Sequence, residues 1–469
     1  MKRSIEEKLI KWKKDPFRKP LLINGARQVG KTYVIKELFG PSNFKRVIYV
    51  DFRSNAQIRK FVKNHPSAKE IIQYISLNFE TAINEDTLLF FDEIQEAVQI
   101  LTAAKYFAQD YKNIPVIMAG SLVRVKLKQI ETEKDGRGVI LDPEISKENQ
   151  DGHNNFLFPV GKIEELDIYP MTFDEFLLAY KPSFYQFLKD SFNTKVTLNA
   201  EYHQMAMDYF YDYLKIGGMP EVVDIFIQSG SPLYAQEKLR RIFDNFLSDM
   251  GLYQISSQAI TRSRIVFSNV YNQLSKENKN FKISVIEEGK RFRDYMSSFD
   301  WLEIARLIYK CSQVKERVTL PLRADSESLF RIYLPDCGLF TIESEMNLAS
   351  FNESLKTNTL SGIFMENFVA EELRARNIDL FYWKGKTSSE FEFLLNVNNT
   401  IVPMDVKKNR GTLNSLAVYK TFNQYKYSIK VSQNKYGFDN ESGVYTIPFY
   451  YLPFLLNEYI EKGEVISKK

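Results

Sequence analysis

The sequence predicts an α/β protein of several domains that opens on a parallel sheet and ends in an α+β region. Strand-like apolar runs alternate with helical segments over the first 120 or so residues, which is typical of a parallel sheet covered on both faces. The next stretch, from 173 to about 350, is mainly helical, and helix and strand patterns mix again after about 355. The chain of 469 residues exceeds one ordinary core, so we expect roughly two to four domains.

The first region contains a series of strand candidates in chain order. They are nearly continuous in apolar residues and read PLLING, RVIYVDF, TLLFFDEI and IPVIMAG, with a further strand before Pro170. Residues 123–155 are polar and weak in periodicity, and we interpret them as a surface insertion. The sequence therefore predicts a first domain over 1–172 that carries this insertion.

Three further regions follow. We predict a helical domain over 173–257 and, over 258–350, a winged-helix-like region in which short helices precede strand-like segments. We predict an α+β domain over 351–469, with the helix MENFVAEELRAR followed by the strands LFYWKG, EFEFLLNV and IVPMDVKK. Asn398 and Asn399 favour a tight turn, so the last two strands are expected to form a hairpin.

Composition limits the classes of protein that the chain can belong to. The net charge is only +4, from 63 basic and 59 acidic residues, so nucleic-acid binding would depend on local patches. Two cysteines and three histidines, all scattered, argue against a disulfide scaffold or a zinc site. The amphipathic, charged N-terminus and the lack of any apolar stretch near ~18 residues predict a cytoplasmic protein without a membrane span.

The stretch NGARQVGKT, between a strand and a helix, satisfies G-x-x-x-x-G-K-[ST]. Its glycines let the backbone wrap closely around phosphate oxygens, and the following helix points its positive end at the same anion. Lys31 is expected to contact the β- and γ-phosphates, and the Thr32 hydroxyl to ligate Mg²⁺. The predicted nucleotide-binding residues are Gly25, Ala26, Arg27, Gln28, Val29, Gly30, Lys31, Thr32 and Tyr33.

Two later strand ends complete this prediction. In LLFFDEI, Asp92 and Glu93 follow four apolar residues, and an acidic residue there is costly unless it meets a cation. We interpret Asp92 as the Walker B residue that holds Mg²⁺ through water, and Glu93 as the base that polarises the attacking water. Ser121 in VIMAGSL is a candidate sensor of the γ-phosphate, although a simple Gly-Ser turn explains it equally well.

Several blocks resemble a family of bacterial and archaeal AAA-type ATPases with a C-terminal domain of unknown function. They read GARQVGKT, LLFFDEIQ, AGSL, FPVGKIEELDIYPMTFDEFL, GGMPEVV, YLPDCGLF and GIFMENFVAEEL. The resemblance implies ATP and Mg²⁺ as ligands. Relatives usually have arginine where this chain has Lys162, a position that the resemblance associates with a transition-state or sensor role. Lysine lacks the planar fork of arginine, so Arg124, Arg240 or Arg241 are alternative candidates.

The C-terminal region resembles the PD-(D/E)XK nuclease pattern. Asp405 and Lys407 share one face of a strand, Glu392 lies on the preceding strand, and Glu366 lies on the helix before it. In that pattern carboxylates bind Mg²⁺ and the lysine orients water or stabilises charge, which makes Glu366, Glu392 and Asp405 candidate metal ligands and Glu392, Asp405 and Lys407 candidate catalytic residues. Relatives usually have aspartate in place of Glu392. A fold kept for binding, or a hairpin with solvated charges, remains the alternative.

Together these patterns predict an ATP-binding, ATP-hydrolysing switch whose nucleotide state controls a nuclease-like domain acting on DNA. The segments ITRSRIVFSNV and EEGKRFRDYM, which mix basic and aromatic residues, could contact DNA or simply form solvated helix faces. The alternative function is a non-catalytic, nucleotide-dependent module that binds a protein or a nucleic acid. The sequence leaves the oligomeric state and any protein partner open.

Overall fold

The computed structural model describes residues 1–125, 161–253, 256–357, 361–385, 389–407 and 414–462, so the predicted insertion lies almost wholly outside the described residues. Contacts divide the chain into two compact units. The first, here called the N-terminal unit, comprises Lys2–Tyr169 with Gly251–Ile260. The second, the C-terminal unit, comprises Pro170–Met250 and Thr261–Lys469, with Met1. The finer domain boundaries stay a prediction.

The N-terminal unit is built on a five-stranded sheet in the order β2-β3-β4-β1-β5. All of its pairings are parallel, which confirms the predicted parallel α/β fold. The strands are β1 Leu21–Asn24, β2 Arg46–Asp51, β3 Thr87–Asp92, β4 Val116–Ala119 and β5 Glu164–Asp167. The helical segments are Ile5–Lys14, Lys31–Tyr33, the π-helical Val34–Phe39, Gly40–Asn43, Ala56–Asn64, Ala68–Asn78, the short 3₁₀ turn Ile94–Glu96, and Ile100–Asp110.

The strand order decides where polar residues meet. Every residue of β1, β3 and β4 is buried, because helices cover both faces of a parallel sheet. β4 lies between β1 and β3, and its register aligns Ala119 with Ile23 on one side and Met118 with Phe91 on the other. The carboxyl ends of these parallel strands therefore share one edge, where ligands bind in open α/β sheets.

The C-terminal unit begins with a helical region. Its helices are Phe173–Tyr180, Pro182–Asn193, Ala200–Ile216, Pro220–Ser229, Pro232–Tyr253, Ser257–Phe267, Val270–Leu274, the 3₁₀ turn Ile283–Val285 and Phe292–Ile304. The last residues of Pro232–Tyr253 and the first of Ser257–Phe267 belong to the N-terminal unit. Further along the chain come Cys337–Ser344, the 3₁₀ turn Leu348–Ser350, Phe351–Thr357, Ser361–Ala375, Asn414–Phe422, the 3₁₀ turn Phe449–Tyr451 and Leu452–Lys462. Among the residues described, no helix is both long and apolar enough to cross a lipid bilayer.

Two mixed sheets complete this unit. The strands are β6 Tyr309–Gln313, β7 Phe330–Tyr333, β8 Phe381–Lys384, β9 Glu390–Phe391, β10 Phe393–Val397, β11 Thr400–Lys407, β12 Ser428–Ser432, β13 Gly437–Asp439 and β14 Val444–Pro448. They form sheets of order β7-β6-β8-β9 and β10-β11-β12-β14-β13. Because β6 and β7 share a sheet with β8 and β9, the strands of the predicted winged-helix-like region are built into the C-terminal domain; the winged-helix assignment stays a prediction.

The predicted hairpin is confirmed. β10 and β11 pair antiparallel, with Val397 opposite Thr400. The two residues between them, Asn398 and Asn399, have φ values of 48° and 60°, which a two-residue turn of this kind requires and asparagine tolerates.

Buried hydrogen bonds join the helical region to later parts of the C-terminal unit. The Gly218 N–H donates to Asp336 at 2.6 Å, and the Met171 N–H donates to the Gly218 carbonyl at 2.7 Å. A Cβ on Gly218 would lie 1.9 Å from the Met171 carbonyl oxygen. Only glycine therefore fits this point of close backbone approach.

The same interior holds two adjacent glutamates of the helix Ser361–Ala375. Glu371 accepts hydrogen bonds from the Cys337 N–H at 2.9 Å and from the Tyr213 hydroxyl. Glu372 accepts from the Phe173 N–H at 2.8 Å and pairs with Arg376 at 2.5 Å. Four of the blocks that carry the family resemblance, YPMTFDEF, GGMPEVV, YLPDCGLF and MENFVAEEL, therefore meet in one buried polar network.

Candidate nucleotide site and C-terminal charge cluster

The loop that follows β1 has the backbone of a phosphate-binding turn. Gly25, Gln28 and Gly30 all have positive φ, at 152°, 64° and 88°. A Cβ on Gly25 would lie 2.3 Å from the Ile168 carbonyl oxygen, so no larger residue fits there. The helix begins at Lys31, directly after Gly30, and its first N–H groups face the loop.

The side chain of Lys31 contacts the backbone of the phosphate-binding loop. Its ammonium group donates to the carbonyl oxygens of Gly25 at 2.9 Å and Ala26 at 2.7 Å. Burial lowers the pKa of Lys31 to about 8, and the carboxylates of Glu93 and Asp92 oppose that shift. The lysine is thus buried and held by neutral carbonyls, an arrangement that a phosphate anion would improve.

The second predicted element meets the first across the sheet edge. The Thr32 hydroxyl donates to Asp92 Oδ2 at 2.5 Å, although the two residues lie 60 positions apart. Burial raises the pKa of Asp92, while the Thr32 hydroxyl and the Glu93 N–H favour its charged form. Glu93 has a φ of 52°, which is uncommon for a residue other than glycine and is enriched at functional sites.

Ser121 lies at the same edge, just after β4, between the loop and Asp92. It is buried, and its hydroxyl has no hydrogen-bond partner among the described residues. A buried hydroxyl without a partner is costly. The observation favours the sensor interpretation over a simple Gly-Ser turn, and the role itself stays a prediction.

The four basic residues considered for a transition-state or sensor role lie at different places in the structure. Lys162 precedes β5, whose first residue Glu164 aligns with Leu21. It therefore lies at the amino edge of the sheet, about 20 Å along the strand direction from the start of the loop at ~3.3 Å per residue. Lys162 is therefore not brought to the loop of its own chain. Arg124 pairs with Glu165 at 2.5 Å, near the end of β1. Arg240 and Arg241 lie exposed in the C-terminal unit.

Arg3 is a residue that sequence reasoning missed. It is 5% exposed, and its guanidinium donates to the carbonyl oxygens of Val29, in the loop, at 3.2 Å and of Tyr169 at 2.8 Å. The signal in the sequence was weak, because a single arginine in a charged N-terminus looks like a solvated residue. The N-terminal segment nevertheless supports the loop directly.

In the C-terminal unit, three of the four predicted residues converge. The Lys407 ammonium lies 3.0 Å from Glu392 Oε1 and 2.9 Å from Asp405 Oδ1. Glu392 also accepts a hydrogen bond from the Val406 N–H at 3.0 Å. Asp405 and Lys407 therefore share a face of β11 as predicted, while Glu392, which was predicted on a strand, lies between β9 and β10.

Glu366 has different neighbours from those expected of a metal ligand. It forms an ion pair with Lys279 and lies 3.8 Å from the Arg331 guanidinium, and Arg331 pairs in turn with Glu390 at 2.6 Å. Over the described residues, no three His, Cys, Asp or Glu side chains are arranged to hold a metal ion. The carboxylates of this C-terminal charge cluster (Glu366, Glu390, Glu392 and Asp405) are instead matched by Lys279, Arg331 and Lys407, of which Arg331 is buried.

Electrostatics in the cluster follow from that pairing. Burial alone would raise the pKa of Glu392, but the ammonium groups of Lys407 and Lys279 outweigh it and hold the pKa low. Burial, together with the charge of Glu392, raises the pKa of Asp405 to about 8. Burial would lower the pKa of Lys407, yet the two carboxylates raise it.

Comparison with known proteins finds family matches in three parts of the chain. Residues 17–143 match a family described as an AAA domain. Residues 207–348 and 361–452 match two families described as domains of unknown function, DUF8612 and DUF4143. No curated protein matches the chain. Among solved structures, a Walker-type ATPase of Pyrococcus abyssi is similar at 13% identity and a TM-score of 0.40, covering 72% of this chain and 94% of that one.

Proposed function

We propose that this chain, which carries an AAA-type P-loop domain, binds Mg·ATP at the carboxyl edge of its parallel sheet and hydrolyses it. The observation that carries the proposal is the 2.5 Å contact between Thr32 and Asp92. It unites the two motifs whose side chains share a magnesium ion in P-loop ATPases. The glycine geometry of the loop and the match to an AAA domain support the same conclusion.

The residues present fit the ligand. The N–H groups of the loop and of the helix that starts at Lys31 would face the phosphates, and Lys31 would exchange its two carbonyl partners for phosphate oxygens. Thr32 and Asp92 would hold Mg²⁺, which neutralises phosphate charge when bound. Glu93 follows Asp92 at the same edge and is proposed to accept a proton from the attacking water.

Two substitutions test binding and hydrolysis separately. Lys31→Ala removes the buried ammonium, so we expect ATP affinity to fall at least tenfold. Glu93→Gln keeps the size of the side chain but not the base, so we expect nearly unchanged affinity with hydrolysis reduced by about 10²- to 10⁴-fold. Affinity is measured by calorimetry and hydrolysis by phosphate release. Unchanged affinity in Lys31→Ala would refute the site.

We also propose a role for the C-terminal charge cluster, in which nucleotide state controls a nuclease-like domain that acts on DNA. The convergence of Glu392, Asp405 and Lys407 supports a nuclease-like arrangement. The pairing of Glu366 with Lys279 supports the alternative, in which the same domain binds a nucleic acid or a protein without cutting it.

A cleavage assay separates these two functions. Several DNA forms are incubated with Mg²⁺ or Mn²⁺, with and without ATP, using the intact chain, Asp405→Ala and Lys407→Ala. Cleavage that both substitutions abolish supports the nuclease. Binding without cleavage in any condition supports the interaction module. Because Glu392 is 1% exposed, Lys407→Ala leaves a buried charge unpaired, so the melting temperature of each variant must accompany the assay.

A further inference from the structure

The side chain of Gln95 connects the proposed base to the end of the neighbouring strand. Gln95 lies in the short 3₁₀ turn Ile94–Glu96 that follows Glu93. Its amide Nε2 donates a hydrogen bond to the Glu93 carboxylate. Because an ionised carboxylate only accepts hydrogen bonds, this contact fixes which end of the amide faces Glu93 and which faces away.

The other end of that amide lies within the protein and has no partner there. Gln95 is 5% exposed, and its Oε1 has no hydrogen-bond partner among the described residues. A Cβ on Gly120 would lie only 2.4 Å from this oxygen, so Oε1 packs against the end of β4. The next residue is Ser121, whose buried hydroxyl also lacks a partner. Two unsatisfied polar atoms thus lie close to the edge that receives the nucleotide.

We propose that Gln95 is a positioning residue for ATP hydrolysis, which orients the Glu93 carboxylate through Nε2 while its Oε1 packs against the end of β4 at Gly120. The inference rests on the proposed ATPase function. Glu93 follows the end of β3 with a left-handed backbone, outside the regular strand pairing that would hold its side chain in place. The hydrogen bond from the Gln95 amide supplies that restraint. A Cβ on Gly120 would crowd both the Gln95 amide oxygen and a methyl group of Val123, so a larger residue there would displace the amide, Val123 or both.

The test combines Gln95→Met with Glu93→Gln in a double-mutant cycle. Methionine keeps the length of the side chain and removes both polar atoms, so packing is preserved. We expect kcat to fall by about 10- to 100-fold, as misplacement of a catalytic group does, with ATP affinity within about twofold of the original. In the Glu93→Gln background, Gln95→Met should change the residual rate by less than about twofold, since its effect passes through Glu93.

A matched control lies four residues along the chain. Gln99 also has a buried amide oxygen without a partner among the described residues, and its side chain is not hydrogen-bonded to Glu93 there. Gln99→Met should leave kcat and affinity within about twofold.

Each remaining outcome has a distinct meaning. If Gln95→Met reduces the rate equally in both backgrounds, or weakens ATP binding in parallel, Gln95 is structural and the inference is wrong while the ATPase proposal stands. If the unmodified chain shows no hydrolysis that depends on Glu93, the proposed function fails, and the inference about Gln95 fails with it.

Discussion

We predict that the buried ammonium of Lys31 makes nucleotide affinity depend on pH. In the free protein its pKa is lowered to about 8, first by burial. Phosphate oxygens favour the charged form of a lysine, so its pKa rises when a nucleotide binds. Above pH 8, binding must therefore be accompanied by uptake of a proton, and affinity must fall as pH rises.

The size of the effect follows from that value. At pH 9, about one tenth of the free protein carries the Lys31 proton, and binding takes up about 0.9 proton, against about 0.1 at pH 7. Affinity for ATP at pH 9 should be about tenfold lower than at pH 7, which is about 1.4 kcal/mol. Lys31→Arg stays charged throughout this range, so it should bind with no such proton uptake.

Isothermal titration calorimetry in two buffers of different ionisation enthalpy measures the number of protons directly. The titrations are run at pH 7, 8 and 9 with Mg²⁺ in excess, for the original chain and for Lys31→Arg. Equal proton uptake at pH 7 and pH 9, or an undiminished uptake in Lys31→Arg, would show that the lysine is not the titrating group and would refute the reasoning.

Three further substitutions, two of them with a matched control, have definite expected outcomes. Gly25→Ala, at a φ of 152°, should lower ATP affinity at least tenfold by calorimetry, since the methyl group cannot fit without moving the loop. Arg376→Ala should lower the free energy of unfolding by about 3–5 kcal/mol in urea titrations, because it leaves the buried Glu372 without its cation. Arg374→Ala is the control and should lower it by about 0–1 kcal/mol, because its partner Asp379 is exposed. Equal losses in the two variants would contradict this account. Asn399→Ala should cost about 1–2 kcal/mol through its left-handed backbone, whereas the exposed strand residue Asn396 should tolerate alanine within about 0.5 kcal/mol.

Much of the fold could be predicted because its signals are local. β1, β3 and β4 are short apolar runs that end in glycine or in acidic residues, and each proved to be a fully buried strand. The hairpin was predictable from Asn398 and Asn399, whose preference for positive φ is a property of the residue type. The contact between Thr32 and Asp92 followed from the rule that parallel strands end at one edge.

The rest of the candidate sites depends on tertiary contacts that no local pattern encodes. Lys279 and Arg331 come from segments far from Glu366 in the chain, and nothing in MENFVAEEL indicates that its first glutamate meets two cations. Lys162 was assigned a role from a resemblance, whereas the strand register decides which edge of the sheet it occupies. Gln95 could not be identified from the sequence, because a glutamine near two acidic residues indicates no role until its hydrogen-bond partner is known.

The buried hydrogen-bond network of the C-terminal unit constrains how its sequence can vary among relatives. Its members sit in four stretches that are far apart along the chain, and each one donates to or accepts from another. A change in one stretch leaves a desolvated group in another, so these stretches are expected to vary together or hardly at all. A relative that keeps these stretches is expected to keep the same interior scaffold, whatever the chemistry at its nucleotide edge and at its C-terminal charges.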